Sequence, residues 1–235
     1  MANNYFQFKK FKIVQDGCAM KVGTDGCLLG GWFDCSQSRN ILDVGSGSGL
    51  IAIMAAQRCN ATVTGVEIDS DAAIQAIENV NNSPWSDRIR IINEDLLSYT
   101  TAERFDTIVS NPPYFVNSLK CDNDARTTAR HSDTLSNNEF FRKCKELLTE
   151  EGKISIIIPS DISTDWQEVA KSNGFHTSRI THIKTTPDKM AKRVLIEFST
   201  CKLQEMFEET LILEKKRGVY SDEAQNILKD FYLKL

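Results

Sequence analysis

The sequence predicts an α/β fold: a seven-stranded, mostly parallel sheet that ends in an antiparallel C-terminal hairpin, preceded by a short N-terminal extension. Three stretches predict it. Asn40-Ile41-Leu42-Asp43-Val44 runs into the loop Gly45-Ser46-Gly47-Ser48-Gly49, and a helical run from Leu50 to Arg58 follows. This is the strand, loop and helix unit by which an α/β sheet holds a nucleotide-like ligand at its carboxyl edge. Thr62-Val63-Thr64-Gly65-Val66-Glu67 repeats the strand, and Ala191 to Phe198 returns after the turn Thr185-Thr186-Pro187-Asp188, so the last pair of strands is antiparallel. All 235 residues are read as one domain, 1–235. It comprises an N-terminal strand and clasp (1–39), a core (40–200) and a C-terminal strand and helix (201–235).

The chain opens with Phe6-Gln7-Phe8-Lys9-Lys10-Phe11-Lys12-Ile13-Val14, aromatics interleaved with lysines, which suits a short strand or hairpin with one apolar and one basic face. Next, Thr24 or Asp25 can cap a short helix carrying Cys27, Leu28 and Leu29. Its place just ahead of the first core strand predicts a lid over a ligand bound at that strand's end.

The glycine loop has the spacing Gly-x-Gly-x-Gly, with Asp43 two residues before its first glycine. A dinucleotide fold sets a pyrophosphate on the helix N-terminus and has no use for a carboxylate there. Asp43 therefore favours a cationic ligand. Glu67 ends the second strand, where a carboxylate can accept both hydroxyls of a ribose. Ala72, Ala73, Ile74, Ala76, Ile77 and Val80 then give an apolar stripe at helical spacing. The third strand, Ile89 to Asn93, is closed by Glu94-Asp95-Leu96, so Asp43, Glu67 and Asp95 each lie at the carboxyl end of a strand. Any one of them could instead be a helix cap.

The fourth strand, Phe105 to Ser110, ends at Asn111-Pro112-Pro113-Tyr114. Two prolines stop the ladder and stiffen the turn. Asn111 brings an amide and Tyr114 a flat ring with a polar tip, which together suit a planar amine. The long polar loop from Phe115 to Thr134 carries Arg126, Arg130 and His131, a grouping suited to phosphate contacts. Beyond it, Ser136 and Glu139 form a capping-box pattern for a helix ended by Gly152; Lys153 to Ile158 is strand five, Ser163 to Ser172 a helix, and Phe175 to Lys184 strand six. Lys184, Lys189, Lys192 and Arg193 form a basic patch around the returning strand, and the tail has an alternation at Thr210 to Leu213 and an amphipathic helix from Ser221.

Composition narrows the class. Hydrophobic residues at 41%, charged residues at 26% and a net charge of -4 are ordinary for a globular protein. The apolar runs are too short to span a bilayer. Met1 to Phe6 lacks the basic and apolar regions of a signal peptide, so a cytoplasmic location is expected, without membrane contact. Seven scattered cysteines with no Cys-x-x-Cys pair predict neither a metal site nor a disulfide framework.

Taken together, Asp43 to Gly49, Glu67, Asp95 and Asn111 to Tyr114 resemble a Rossmann-like class I S-adenosylmethionine-dependent methyltransferase that modifies a planar nitrogen. The flanks narrow the resemblance. Phe6-x-Phe8-x-x-Phe11, Cys18-Ala19-Met20-Lys21-Val22-Gly23-Thr24-Asp25-Gly26, Asn111 to Phe115, Arg126 to His131, and Lys192 to Phe198 are similar to the bacterial tRNA1(Val) adenine-N6-methyltransferase family. The resemblance implies S-adenosylmethionine as cofactor and N6 of adenine 37, in the tRNA anticodon stem-loop, as acceptor, with no DNA and no stable protein partner. It puts Asn111, Pro112, Pro113 and Tyr114 at the reacting amine. Lys21, Thr24, Asp43, Gly45, Gly47, Gly49, Glu67, Asp95, Leu96 and Asn111 fall at the cofactor, and Phe115, Arg126, Arg130 and His131 at the RNA. Two alternatives share parts of the pattern. A release-factor glutamine-N5 methyltransferase uses the same tetrapeptide but carries a sizeable helical domain ahead of the glycine loop, where this chain has about forty residues. A non-catalytic S-adenosylmethionine-binding, RNA-associated module would have no need of acceptors aimed at an amine.

Overall fold

The computed structural model describes residues 4–18, 20–112, 135–202 and 205–235. A hairpin of β1 (Tyr5–Gln7) and β2 (Lys12–Val14) leads into α1 (Thr24–Trp32). The core follows as β3 (Asn40–Val44), α2 (Leu50–Arg58), β4 (Thr62–Glu67), α3 (Ser70–Asn81), β5 (Ile89–Asn93) and β6 (Phe105–Ser110). It continues through α4 (Asn137–Leu147), β7 (Leu148–Pro159), α5 (Ser163–Ser172), β8 (His176–Lys184) and β9 (Arg193–Ser199). The tail adds β10 (Phe207–Ile212), the short pair β11 (Glu214–Lys216) and β12 (Val219–Tyr220), and α6 (Asp222–Leu228).

The central sheet has the order β10-β8-β9-β7-β6-β3-β4-β5. Strands β5, β4, β3, β6 and β7 run parallel, and β9 lies antiparallel between β7 and β8. Because successive side chains on a strand point to opposite faces, each buried strand feeds two cores. Ile41, Val109, Ile157 and Leu195 join a cluster with α1, α2 and α6. Their neighbours Leu42, Ile108, Ile156 and Ile196 join another with Phe140, Phe141 and Phe175. Near-continuous apolar runs are what a sheet covered on both faces requires.

Three details depart from the sequence expectation. The sheet has eight strands among the described residues, because the alternation near residue 210 becomes β10, which pairs parallel to β8 with Leu211 opposite Ile183. Gly152 ends no helix: Leu148 is already extended and faces Phe105, and the register then jumps so that Thr107 faces Lys153. The third concerns α1, which is no lid. Cys27, Leu28 and Leu29 are wholly buried and Trp32 nearly so. A helix that is apolar all round belongs inside a core. Its N-cap is Gly23, not Thr24 or Asp25, and the Asp25 carboxylate instead accepts from Arg193 Nε at 2.7 Å.

Close approach of α1 to α6 depends on Gly31, where a Cβ would lie 2.6 Å from both Cγ2 and the carbonyl oxygen of Ile227. Gly31→Ala is expected to cost about 1–3 kcal/mol of stability through overpacking. Urea denaturation checks this, as a lower midpoint with an unchanged slope. The N-terminal hairpin is also anchored at the tail, where Phe6 and Phe8 lie against Tyr232 and Lys9 N donates to Phe231 O at 2.8 Å, and between α3 and β5, where Phe11 lies against Trp85.

Candidate active site

The carboxyl ends of β3, β4, β5 and β6 share one edge of the sheet, the edge at which open α/β sheets bind ligands. At the end of β3 the chain passes through Gly45, Gly47 and Gly49 with φ of +69°, +53° and +77°. Side chains rarely adopt this left-handed backbone. Gly45 N and Ser46 N both donate to Val66 O, at 2.9 and 3.2 Å, and Gly49 N donates to Ser46 O at 2.8 Å. A Cβ at Gly45 would meet no atom within 4 Å, so the loop opens onto space there.

Asp43 is fully buried at the N-terminus of α2. Its Oδ2 accepts from Ala52 N at 3.0 Å, whereas Oδ1 has no partner. Burial pushes the carboxyl up to about 7, the Ala52 N–H opposes the rise, and the Glu67 carboxylate adds to it. Ser46 Oγ, in the loop itself, is likewise buried without a partner.

Glu67 closes β4 and braces the loop from the neighbouring strand. Its Oε2 accepts from Gly47 N at 2.7 Å and its Oε1 from Asp69 N at 3.0 Å. Asp95 caps a turn, its Oδ1 accepting from Leu97 N at 3.0 Å and its carbonyl from Ser98 and Tyr99. Leu96 is 5% exposed and packs in the second core cluster. Lys21 and Thr24 are exposed on the approach to α1 and its first residue.

One strand over, β6 ends at the same level. Val44 and Ser110 are register partners, and Ser110 Oγ donates to Val44 O at 2.9 Å. The glycine loop and Asn111-Pro112 therefore leave adjacent strands side by side, with Asn111 half-buried and Pro112 buried. Pro113, Tyr114, Phe115, Arg126, Arg130 and His131 lie outside the described residues. Arg193, part of the basic patch in the sequence, is engaged with Asp25 at this edge.

Two neighbours of the site escaped the sequence reading. Ile68 is 66% exposed directly after Glu67. An apolar residue between two acids, Glu67 and Asp69, was the available signal. Cys18 lies near the same two carboxylates: burial raises its thiol to about 11, and Glu67 and Asp69 add to the shift. Nothing local to Cys18 indicates that proximity.

A mostly parallel sheet of this order, with a left-handed glycine loop beside a buried acid and an Asn-Pro turn on the adjoining strand, is the arrangement of a class I S-adenosylmethionine-dependent methyltransferase, and the relatives place the chain in that class. Residues 20–169 match the family model described as the Methyltransferase small domain. A relative in Bacteroides fragilis, named tRNA1(Val) (adenine(37)-N6)-methyltransferase, is 46% identical over 238 aligned residues that cover all of both chains. One of the same name in Trichodesmium erythraeum is 44% identical over 239, again covering all of both. The chain belongs to the tRNA1(Val) (adenine(37)-N6)-methyltransferase family. Among solved structures, a predicted O-methyltransferase from Agrobacterium tumefaciens shares the fold with a TM-score of 0.71 at 20% identity, over 88% of this chain and 96% of that one.

The residues present fit S-adenosylmethionine, the cofactor of this enzyme. The orphaned Asp43 Oδ1 and Ser46 Oγ, the open backbone at Gly45 and the Glu67 carboxylate supply a donor and acceptor set suited to a cation that carries a ribose.

Proposed function

We propose that the chain methylates N6 of adenine 37 in tRNA1(Val), reached in the anticodon stem-loop, and that residues 1–235 act in the cytoplasm as one methyltransferase domain. Among the described residues no helix is long and apolar enough to cross a membrane. The observation that carries the reading is the pairing of Val44 with Ser110, which sets the start of the Asn-Pro turn beside the start of the glycine loop.

When bound, S-adenosylmethionine supplies an electrophilic methyl group on a sulfonium. Asp43, Gly45, Gly47, Gly49 and Glu67 hold it in this reading, with Lys21, Thr24, Asp95, Leu96 and Asn111 around them. Asp43 offsets positive charge at the loop, and Glu67 accepts ribose hydroxyls while its second bond keeps Gly47 in place. The adenine amine is a poor nucleophile because its lone pair is delocalised into the ring. Asn111 Oδ1 and the Pro112 carbonyl accept its two hydrogens, which favours a pyramidal nitrogen and stabilises its developing positive charge. Pro113 stiffens the turn that presents both acceptors. No strong general base is required, since the methylated ammonium is acidic enough to lose a proton to water. Tyr114 and Phe115 stack on a base turned out of the loop, a contact worth about 1–3 kcal/mol per base. Arg126, Arg130 and His131 meet the RNA phosphates.

The test supplies methyl-labelled S-adenosylmethionine and the purified protein to unmodified total tRNA and, separately, to release-factor peptides, with nucleoside mass spectrometry as readout. N6-methyladenosine in tRNA1(Val) is expected. Label confined to the peptide would reject the proposal in favour of the glutamine enzyme.

A further inference from the structure

The buried face of α3 carries an amide where its apolar stripe calls for a hydrocarbon. Asn79 is 2% exposed. A buried amide is unfavourable unless its hydrogen bonds are made, and Asn79 makes three to two separate parts of the chain. Its Oδ1 accepts from Val14 N at 2.9 Å and its Nδ2 donates to Val14 O at 2.8 Å, so it lies along β2 like the rung of another strand. The second hydrogen of Nδ2 goes to Ser48 O at 2.9 Å, inside the glycine loop. One turn earlier on α3, Gln75 Oε1 accepts from Gly17 N at 3.4 Å. Beyond that point Gln15 Oε1 accepts from Val22 N at 2.8 Å and closes the loop between them. Val14 and Gly17 are thus both pinned to α3, and Cys18 is brought beside Glu67.

We propose that Asn79 is a positioning residue for S-adenosylmethionine, holding the glycine loop and the N-terminal hairpin in one arrangement so that cofactor binding and hairpin docking reinforce each other. The inference rests on the cofactor reading of the glycine loop. It is independent of which nucleic acid or protein receives the methyl group. Ser48 O accepts from the same amide that bonds Val14, so ordering either partner lowers the cost of ordering the other, and the coupling is reciprocal.

The experiment uses the whole chain and S-adenosylhomocysteine, without tRNA, so a failure of the tRNA reading leaves it untouched. Calorimetric titration well below the melting temperature is expected to show Kd raised about tenfold in Asn79→Ala, within the usual range of such couplings. Val80→Ala removes a buried apolar contact from the same helix and is expected to lower the melting temperature with Kd unchanged. Hydrogen exchange on the unmutated protein provides a readout that needs no variant. S-adenosylhomocysteine is expected to slow exchange at residues 12–14 as well as at 45–49, and in Asn79→Ala only at 45–49. An unchanged Kd in Asn79→Ala, an equal loss in Val80→Ala, or no protection at residues 12–14 in the parent would each overturn the proposal.

Discussion

Asn111→Ala is expected to lower methyl transfer about 10²- to 10³-fold or more, the loss typical of removing one preorganised polar group aimed at developing charge. S-adenosylmethionine binding is expected to stay within about threefold of the parent, since the side-chain oxygen is aimed at the acceptor amine and gains strength as charge develops there. The reason lies in the placement of the side chain. Asn111 follows Ser110, whose hydroxyl bonds Val44 O across to β3, so the turn is tied to the cofactor strand by a side chain that the substitution leaves intact. Single-turnover transfer to tRNA, read beside equilibrium titration with the cofactor, separates the two quantities. Normal turnover in the variant would remove Asn111 from the chemistry, and a parallel loss of binding would make it a cofactor ligand instead.

The second large effect is a gain in one property and a loss in another. Asp43→Asn is expected to weaken S-adenosylmethionine binding about a hundredfold while making the ligand-free protein more stable at pH 8. Burial holds the Asp43 carboxyl at about 7, above its ordinary value of 3.8, so between those values the folded chain binds more protons than the unfolded chain. Its contribution to stability is complete below pH 3.8, declines as pH rises through the window, and reaches its floor above about 7. A neutral amide that still accepts from Ala52 N has no such penalty. A shift of this size corresponds to a few kcal/mol, about 1.4 per pH unit. Thermal melting of parent and variant at pH 5 and pH 8 checks the sign: the difference should be larger at pH 8. A variant less stable than the parent at pH 8, or one with full cofactor affinity, would contradict this account. In the proposed reading the parent keeps an unfavourable buried acid because it serves a cationic ligand.

The parts of the site legible in the sequence are those whose chemistry is local. A glycine loop, a carboxylate after each strand and an Asn-Pro turn all announce themselves within ten residues. Asn79 did not, because on a helical wheel an asparagine at the end of an amphipathic stretch passes for a solvated residue, and its partner Val14 lies 65 positions away. The interior place of α1 is legible in its composition: chain position suggests a lid, whereas Cys27-Leu28-Leu29 with Gly30 and Gly31 has no polar face to leave in water. Strand β10 shows in the sequence as an alternation, but its place in the sheet does not, since its parallel mate β8 lies across an intervening segment that gives no pairing signal. Asp95 Oδ1 caps its own turn, a bond that an acid at this place makes whether or not its other oxygen meets a ligand.

The anchoring of the hairpin at the tail sets an order in time as well as in space. Lys9 bonds its Nζ to Lys229 O, 220 residues along the chain, and the Phe8 and Phe11 rings that stack at 4.5 Å need Tyr232 and Trp85 around them. During synthesis the hairpin therefore leaves the ribosome well before the tail that seats it, with a wait on the order of ten to forty seconds at usual elongation rates. Through that interval its aromatic face is available to chaperones and to other nascent chains, while the strands between β3 and β7 can already pair. A chain halted after β7 would lack the tail that seats this hairpin, and its aromatic face would stay uncovered.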